Sequence, residues 1–109
     1  MARKAVEVAS DKQADDIVML DIRGTADFAD YFVICSGETE RQIETLRDEI
    51  DGALVKDGAP LRHLEGSSDS GWVLLDFGDL IVHIFAPRER QYYQLEKLWE
   101  KAVPLVRIQ

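Results

Sequence analysis

The stretch GWVLLDFGDLIVHIF, residues 71–85, constrains the fold more than any other part of the chain. Two apolar runs meet at Phe77-Gly78-Asp79, a hairpin turn in which glycine can take positive φ and Asp79 can bond its own backbone. Side chains alternate between the faces of a strand. With a two-residue or other even loop, paired residue numbers have an odd sum. Trp72, Leu74 and Asp76 then share a face with Ile81, His83 and Phe85. Val73, Leu75, Leu80, Val82, Ile84 and Ala86 form the opposite face, which is purely aliphatic and suited to packing under helices. An odd loop or a bulge would scramble this division.

The remaining pattern supplies partners for that hairpin. Residues 2–13 predict a short helix with Ala5, Val6 and Ala9 as a weak apolar stripe. IVMLDI (17–22) reads as a strand, RGTADFAD (23–30) as a loop, and YFVICS (31–36) as a central strand covered on both faces. Thr39 followed by Gln42 has capping-box spacing. Ile43, Leu46, Ile50, Ala53 and Leu54 then recur at helical period until Asp57-Gly58 stops the helix. A short strand follows near 61–65, and GSSDSG (66–71) forms a polar loop. A last helix starts at Pro87, with Tyr92, Leu95, Leu98, Trp99 and Ala102 on its apolar face, and ends before Pro104. The expectation is a single-domain α/β sandwich over residues 1–109 with a five-stranded mixed sheet and three helices.

Three helices are few for five strands, so the mixed face of the hairpin is either covered with His83 as a hydrogen-bonded core residue, or left partly open to bind a partner. Trp, Tyr and Phe are enriched at interface centres, and a bare patch of Trp72, Leu74, Ile81 and Phe85 suits a binding surface.

Catalytic readings are weak. Cys35 or Ser36 would need a positioned base, and only His63 and His83 exist to serve. His63, His83 and Asp76 lack compact metal-ligand spacing, so no metal is expected. DFG at 76–78 matches the kinase magnesium triplet, but the rest of a kinase is missing. SG at 36–37 followed by EID at 49–51 matches part of a nucleotidyltransferase pattern. Glu49 and Asp51 fall inside a helix, however, where i and i+2 point about 200° apart and cannot share an ion. No enzyme and no cofactor are expected.

Composition narrows the partner. The formal charge is −8, from 13 basic and 21 acidic residues. Nucleic-acid affinity draws on Lys and Arg neutralising phosphates, so direct sequence-specific nucleic-acid binding is not expected. Work near RNA would require grip on a basic protein. No apolar run approaches a membrane span, and the N-terminus lacks a signal-peptide core. The single Cys35 excludes an internal disulfide. A cytoplasmic protein fits these features.

ADYFVICSG (29–37), Arg41-Gln42, Glu65-Gly66, Trp72 and LLDFGDLIVHIF (74–85) occur in order. Arg90, Tyr92-Tyr93, Leu95-Glu96 and Leu98-Trp99 follow. Together these residues resemble the ribosomal silencing factor family, RsfS, also called Iojap, from about residue 5 to residue 99. SGETERQ departs modestly from the family pattern, with Thr39 standing where Ser is usual. The tail 103–109 falls outside the resemblance, either disordered or packed locally.

The resemblance implies nucleotidyltransferase-like topology without transferase activity. It also implies binding to the large ribosomal subunit through that subunit's ribosomal protein fourteen, steric blocking of small-subunit joining, and repression of translation. Organellar relatives act in large-subunit assembly, and free members can be homodimers. Carried over to this chain, the partner-binding face would comprise Trp72, Leu74, Asp76, Ile81, His83 and Phe85, bordered by Tyr92 and Tyr93. The alternatives are a large-subunit assembly factor or a nucleotidyltransferase-like nucleotide binder.

Overall fold

A computed structural model describes residues 1–98 and 101–109. The elements run α1 (Ala2–Asp11), β1 (Asp15–Asp21), β2 (Tyr31–Ser36), α2 (Glu40–Lys56), β3 (His63–Ser67), β4 (Trp72–Asp76), β5 (Leu80–Phe85), α3 (Pro87–Tyr93), α4 (Leu95–Leu98) and β6 (Val103–Ile108). A single 3₁₀ turn, Ser68–Ser70, links β3 to β4.

The strands form one mixed sheet in the order β3-β4-β5-β2-β1-β6. Only β2 and β5 run parallel; the neighbouring pairs are antiparallel. The continuously apolar YFVICS lies at the centre, as its composition requires, and is buried from Phe32 to Ser36.

One face of the sheet packs on α1 and α2. Val33, Cys35, Val73, Leu75, Leu80, Val82 and Ile84 meet Ala5, Ala9, Ile43, Leu46, Ile50 and Leu54 there. Ile and Leu side chains buried to this degree contribute about 2 kcal/mol each. Thr39 caps α2 by accepting from the Gln42 amide at 3.1 Å, while the Gln42 side chain accepts from the Glu38 amide at 2.8 Å. Gly58, at φ +87°, ends the helix where the sequence predicts.

The opposite face has a smaller cover. Ile22 and Ala29 from the 22–30 loop, together with Leu95 and Ala102, pack on Val18, Leu20, Phe32, Ile34 and Phe85.

Two expectations need correction. The sheet has six strands rather than five, because the C-terminal tail forms β6 beside β1, with Ile108 opposite Ile17 and Val106 opposite Met19. Pro104 masked that strand in the sequence, but an edge strand tolerates proline, here opposite Leu20 beside a register shift. The last helix is also broken. Gln94 takes a left-handed conformation at φ +47°, separating α3 from α4. The break turns Glu96 back onto Arg90, whose Nε lies 3.3 Å from Glu96 Oε1. Trp99, expected on the apolar face of that helix, lies outside the described residues.

Arg90 is buried and joins four elements. Its Nη1 donates to Ser36 Oγ at 2.9 Å on β2, and its Nη2 lies 3.3 Å from Asp16 Oδ2 on β1. Asp16 also takes Arg107 of β6 at 3.0 Å. A guanidinium fork suits these several acceptors better than an ammonium does. Arg90→Ala should therefore lower unfolding free energy by about 2–4 kcal/mol, because it strips a buried cation from two carboxylates. Arg90→Lys should recover little of the loss; urea denaturation measures both.

Candidate functional site

The hairpin register settles which residues share a face. Phe77 N–H donates to the Leu80 carbonyl at 2.9 Å, leaving Gly78-Asp79 as a two-residue turn. Trp72 pairs with Phe85, Leu74 with His83 and Asp76 with Ile81, so all six lie on the side away from α1 and α2. Gly78 has φ +94°, as the first central position of such a turn requires. Asp76, not Asp79, supplies the side-chain bond: its Oδ1 accepts from the Gly78 amide at 2.7 Å.

The six do not have equal access. Trp72, Leu74, Asp76 and Ile81 are half-buried, whereas His83 is 4% exposed and Phe85 is fully covered. The carry-over of His83 to the partner-binding surface is therefore corrected: the imidazole is covered, beneath neighbouring rings of its own chain. Phe32 meets it edge-on at 4.7 Å between ring centroids, and Phe85 stacks beside it at 6.3 Å. Trp72 Nε1 donates to His83 Nδ1 at 3.2 Å. Burial holds the His83 imidazole far below its usual range, at about 3.

Tyr93 lies with its ring 4.6 Å from that of Trp72, and Tyr92 is 80% exposed beside it. Both are carried by α3. Pro87 opens that helix, and Arg90 ties it to the sheet.

Residues that the sequence reading did not assign to this face complete the surface. His63 pairs with Asp76 and Glu65 with Leu74, so edge strand β3 extends the same face. A shallow groove of about 280 Å³ is lined by Glu65, Gly66, Ser70, Trp72, Leu74 and Tyr93. Gly66 at φ +80° lets β3 close on β4, since a Cβ there would lie 1.9 Å from the Trp72 carbonyl oxygen. The Glu65-Gly66 pair was legible, but its place in the groove depends on β3–β4 register.

Groups weighed for chemistry fall apart in space. Cys35 faces the helical core, its thiol pushed up to about 12 by burial, while His83 faces the other way. His63 Nε2 lies 2.9 Å from Glu65 Oε1, and Asp76 turns to its own hairpin. Glu49 and Asp51 lie in α2. No helix among the described residues is long and apolar enough to cross a membrane.

The family model described as "Ribosomal silencing factor during starvation", RsfS, matches residues 1–109. The chain is 42% identical over 98 residues to the ribosomal silencing factor RsfS of Bacillus subtilis strain 168, covering 90% of this chain and 83% of that one. A mouse protein named for mitochondrial assembly of the ribosomal large subunit is 30% identical over 97 residues, covering 86% of this chain and 42% of the mouse protein. Among solved structures, a Chromobacterium violaceum protein superimposes with a TM-score of 0.86 at 31% identity, covering 90% of this chain and 82% of that one.

The buried imidazole makes stability depend on pH. The unfolded chain takes up the His83 proton near the ordinary histidine value of about 6.5, the folded chain only near 3. The unfolded state therefore binds more protons between those values. Its contribution is complete above about pH 6.5 and is lost as pH falls toward 3, by up to about 1.4 kcal/mol per unit. Denaturation from about pH 7 to about pH 4.5 should show that slope, and His83→Leu should remove about one proton's worth of it.

Proposed function

The chain belongs to the RsfS family of ribosomal silencing factors, and on that premise we propose that it binds the large ribosomal subunit and keeps the small subunit from joining. The contact is with ribosomal protein fourteen of the large subunit, in the cytoplasm, and the result is repression of translation. The observation that carries this reading is the half-exposed face of Trp72, Leu74, Ile81 and Tyr93 on the side of the sheet away from α1 and α2.

Such a face has the composition of an interface centre, with aromatics massed and charge confined to the rim. Trp72 is its anchor. The indole is buttressed by Phe85 at 4.9 Å and Tyr93 at 4.6 Å and its N–H is held by His83, and the three together leave little side-chain freedom to be lost on docking. Leu74 and Ile81 flank it, and Tyr92 and Tyr93 form a border. Phe85 and His83 lie below as support, and Asp76 sets the turn that puts the anchor in place.

The mechanism is occlusion. A body of 34 × 33 × 23 Å seated on the joining surface excludes the other subunit without chemistry. The net charge of −8 favours a basic protein partner over surrounding phosphates, which improves orientation and selectivity. A role in large-subunit assembly is a second reading, favoured by the name of the mouse relative. It uses the same surface. A homodimer through this face would compete with docking.

Trp72→Ala should leave the fold intact, since the indole is only half-buried, yet weaken cosedimentation with large subunits by about 2 kcal/mol or more, the scale of an interface anchor. The same variant should lose inhibition in a subunit-joining assay. Undiminished binding by the folded variant would refute the face assignment.

A further inference from the structure

We propose that His83 is a positioning residue for the partner-binding face: it grips the indole N–H of Trp72, so that the partner meets the carbon surface of the ring and need bring no acceptor. The inference rests on the assignment of that face above and adds what sets its central side chain.

At 4% exposure His83 cannot itself supply a useful contact area. What it offers is an acceptor. Its Nδ1 receives the Trp72 indole N–H at 3.2 Å, which requires Nδ1 to be unprotonated and puts the ring proton on Nε2. That Nε2 is buried and has no hydrogen-bond partner among the described residues. A buried donor left unpaired is unfavourable, and an aliphatic side chain at this central position would avoid the defect. Stability alone therefore argues against a histidine here. The one polar bond it makes among the described residues goes to the central side chain of the candidate site.

Orientation is what that bond supplies. The indole is flanked on the sheet side by Phe85 and on the helix side by Tyr93, contacts an indole could keep in more than one rotamer. A directional N–H bond selects among them. It also consumes the only donor an indole has. What remains exposed is π surface, suited to apolar or cationic side chains of the partner.

The test uses the full-length protein and purified large subunits. In the wild type, the Trp72 indole N–H resonance, assigned by its absence from Trp72→Phe, should be shielded from hydrogen exchange. His83→Leu removes the acceptor and the orphaned donor together. At neutral pH it should be as stable as the wild type or more so, lose that shielding, and bind large subunits about tenfold more weakly, within the range seen for interface anchors. His83→Asn sets an oxygen close to the place of Nδ1 and should restore both shielding and affinity. A residue that merely filled space would give the reverse order, with Leu the better replacement for both. An unshielded indole in the wild type, or His83→Leu with shielding and affinity unchanged, would overturn the proposal. Were Trp72→Ala to bind normally, the face assignment would fall, and the indole resonance would still decide what His83 does to Trp72.

Discussion

Phe77 N–H donates to the Leu80 carbonyl across a turn of two residues, braced by the bond from the Gly78 amide to Asp76 Oδ1, and that even number determines where each hairpin side chain goes. A slip of one residue would drive Trp72, Asp76 and His83 under α1 and α2, and bring Val73, Leu75 and Val82 to the surface. The turn also reaches beyond its own strands. The Asp79 carbonyl accepts from the amides of Asp30 and Tyr31, so the start of β2 is hung on the same loop. Since β2 runs parallel to β5 at the sheet centre, the hairpin's register is transmitted to the strand that carries the densest apolar run.

With that register set, the two faces diverge in character. Helices α1 and α2 seal one side with aliphatic side chains alone, and Val33, Cys35, Val73, Leu75, Leu80, Val82 and Ile84 beneath them are inaccessible. Among the described residues, the other side is covered chiefly near β1, β2 and the end of β5, by the 22–30 loop and by Leu95 and Ala102. Arg90 explains why that cover ends where it does. The cation, linked to Ser36, Asp16 and Glu96, holds α3 and α4 at the β1–β2 end and leaves Trp72, Leu74 and Ile81 half-exposed. A buried ion cluster is weak evidence for stability. Here its consequence is placement: α3 is set so that Tyr93 reaches Trp72.

Much of this was legible in the residues, and the gaps have physical causes. The odd-sum pairing followed from the glycine turn, and α2 from Thr39, its apolar period and Gly58. Strand β6 was missed because an exposed edge strand carries little alternation, and Pro104 reads locally as a stop. The break at Gln94 has no local signature, since glutamine rarely takes positive φ. It becomes intelligible only once Arg90 and Glu96 are seen to meet. At the candidate site, periodicity gave the shared face but not depth. His83 and Phe85 alternate correctly with Ile81, yet they sink beneath Trp72, Phe32 and Tyr93, whose arrival depends on other elements.

Depth bears on how such a face can be both exposed and well behaved. Apolar surface that must remain available to a partner tends also to be available to wrong ones. Three features of this chain restrain that. The exposed rings pack on one another rather than standing free, with Trp72 between Phe85 and Tyr93. Edge strand β3 borders the face with His63 and Glu65, whose side chains contact at 2.9 Å, a polar edge that discourages strand addition. The surplus of acid, −8 over 109 residues, makes copies of the chain repel one another at long range, and repels phosphate equally. A basic protein surface is the one class of neighbour that all three leave attractive. Were the proposed target a particle made largely of RNA, that preference would select a few protein patches from a very large phosphate surface, a gain in selectivity rather than in raw affinity.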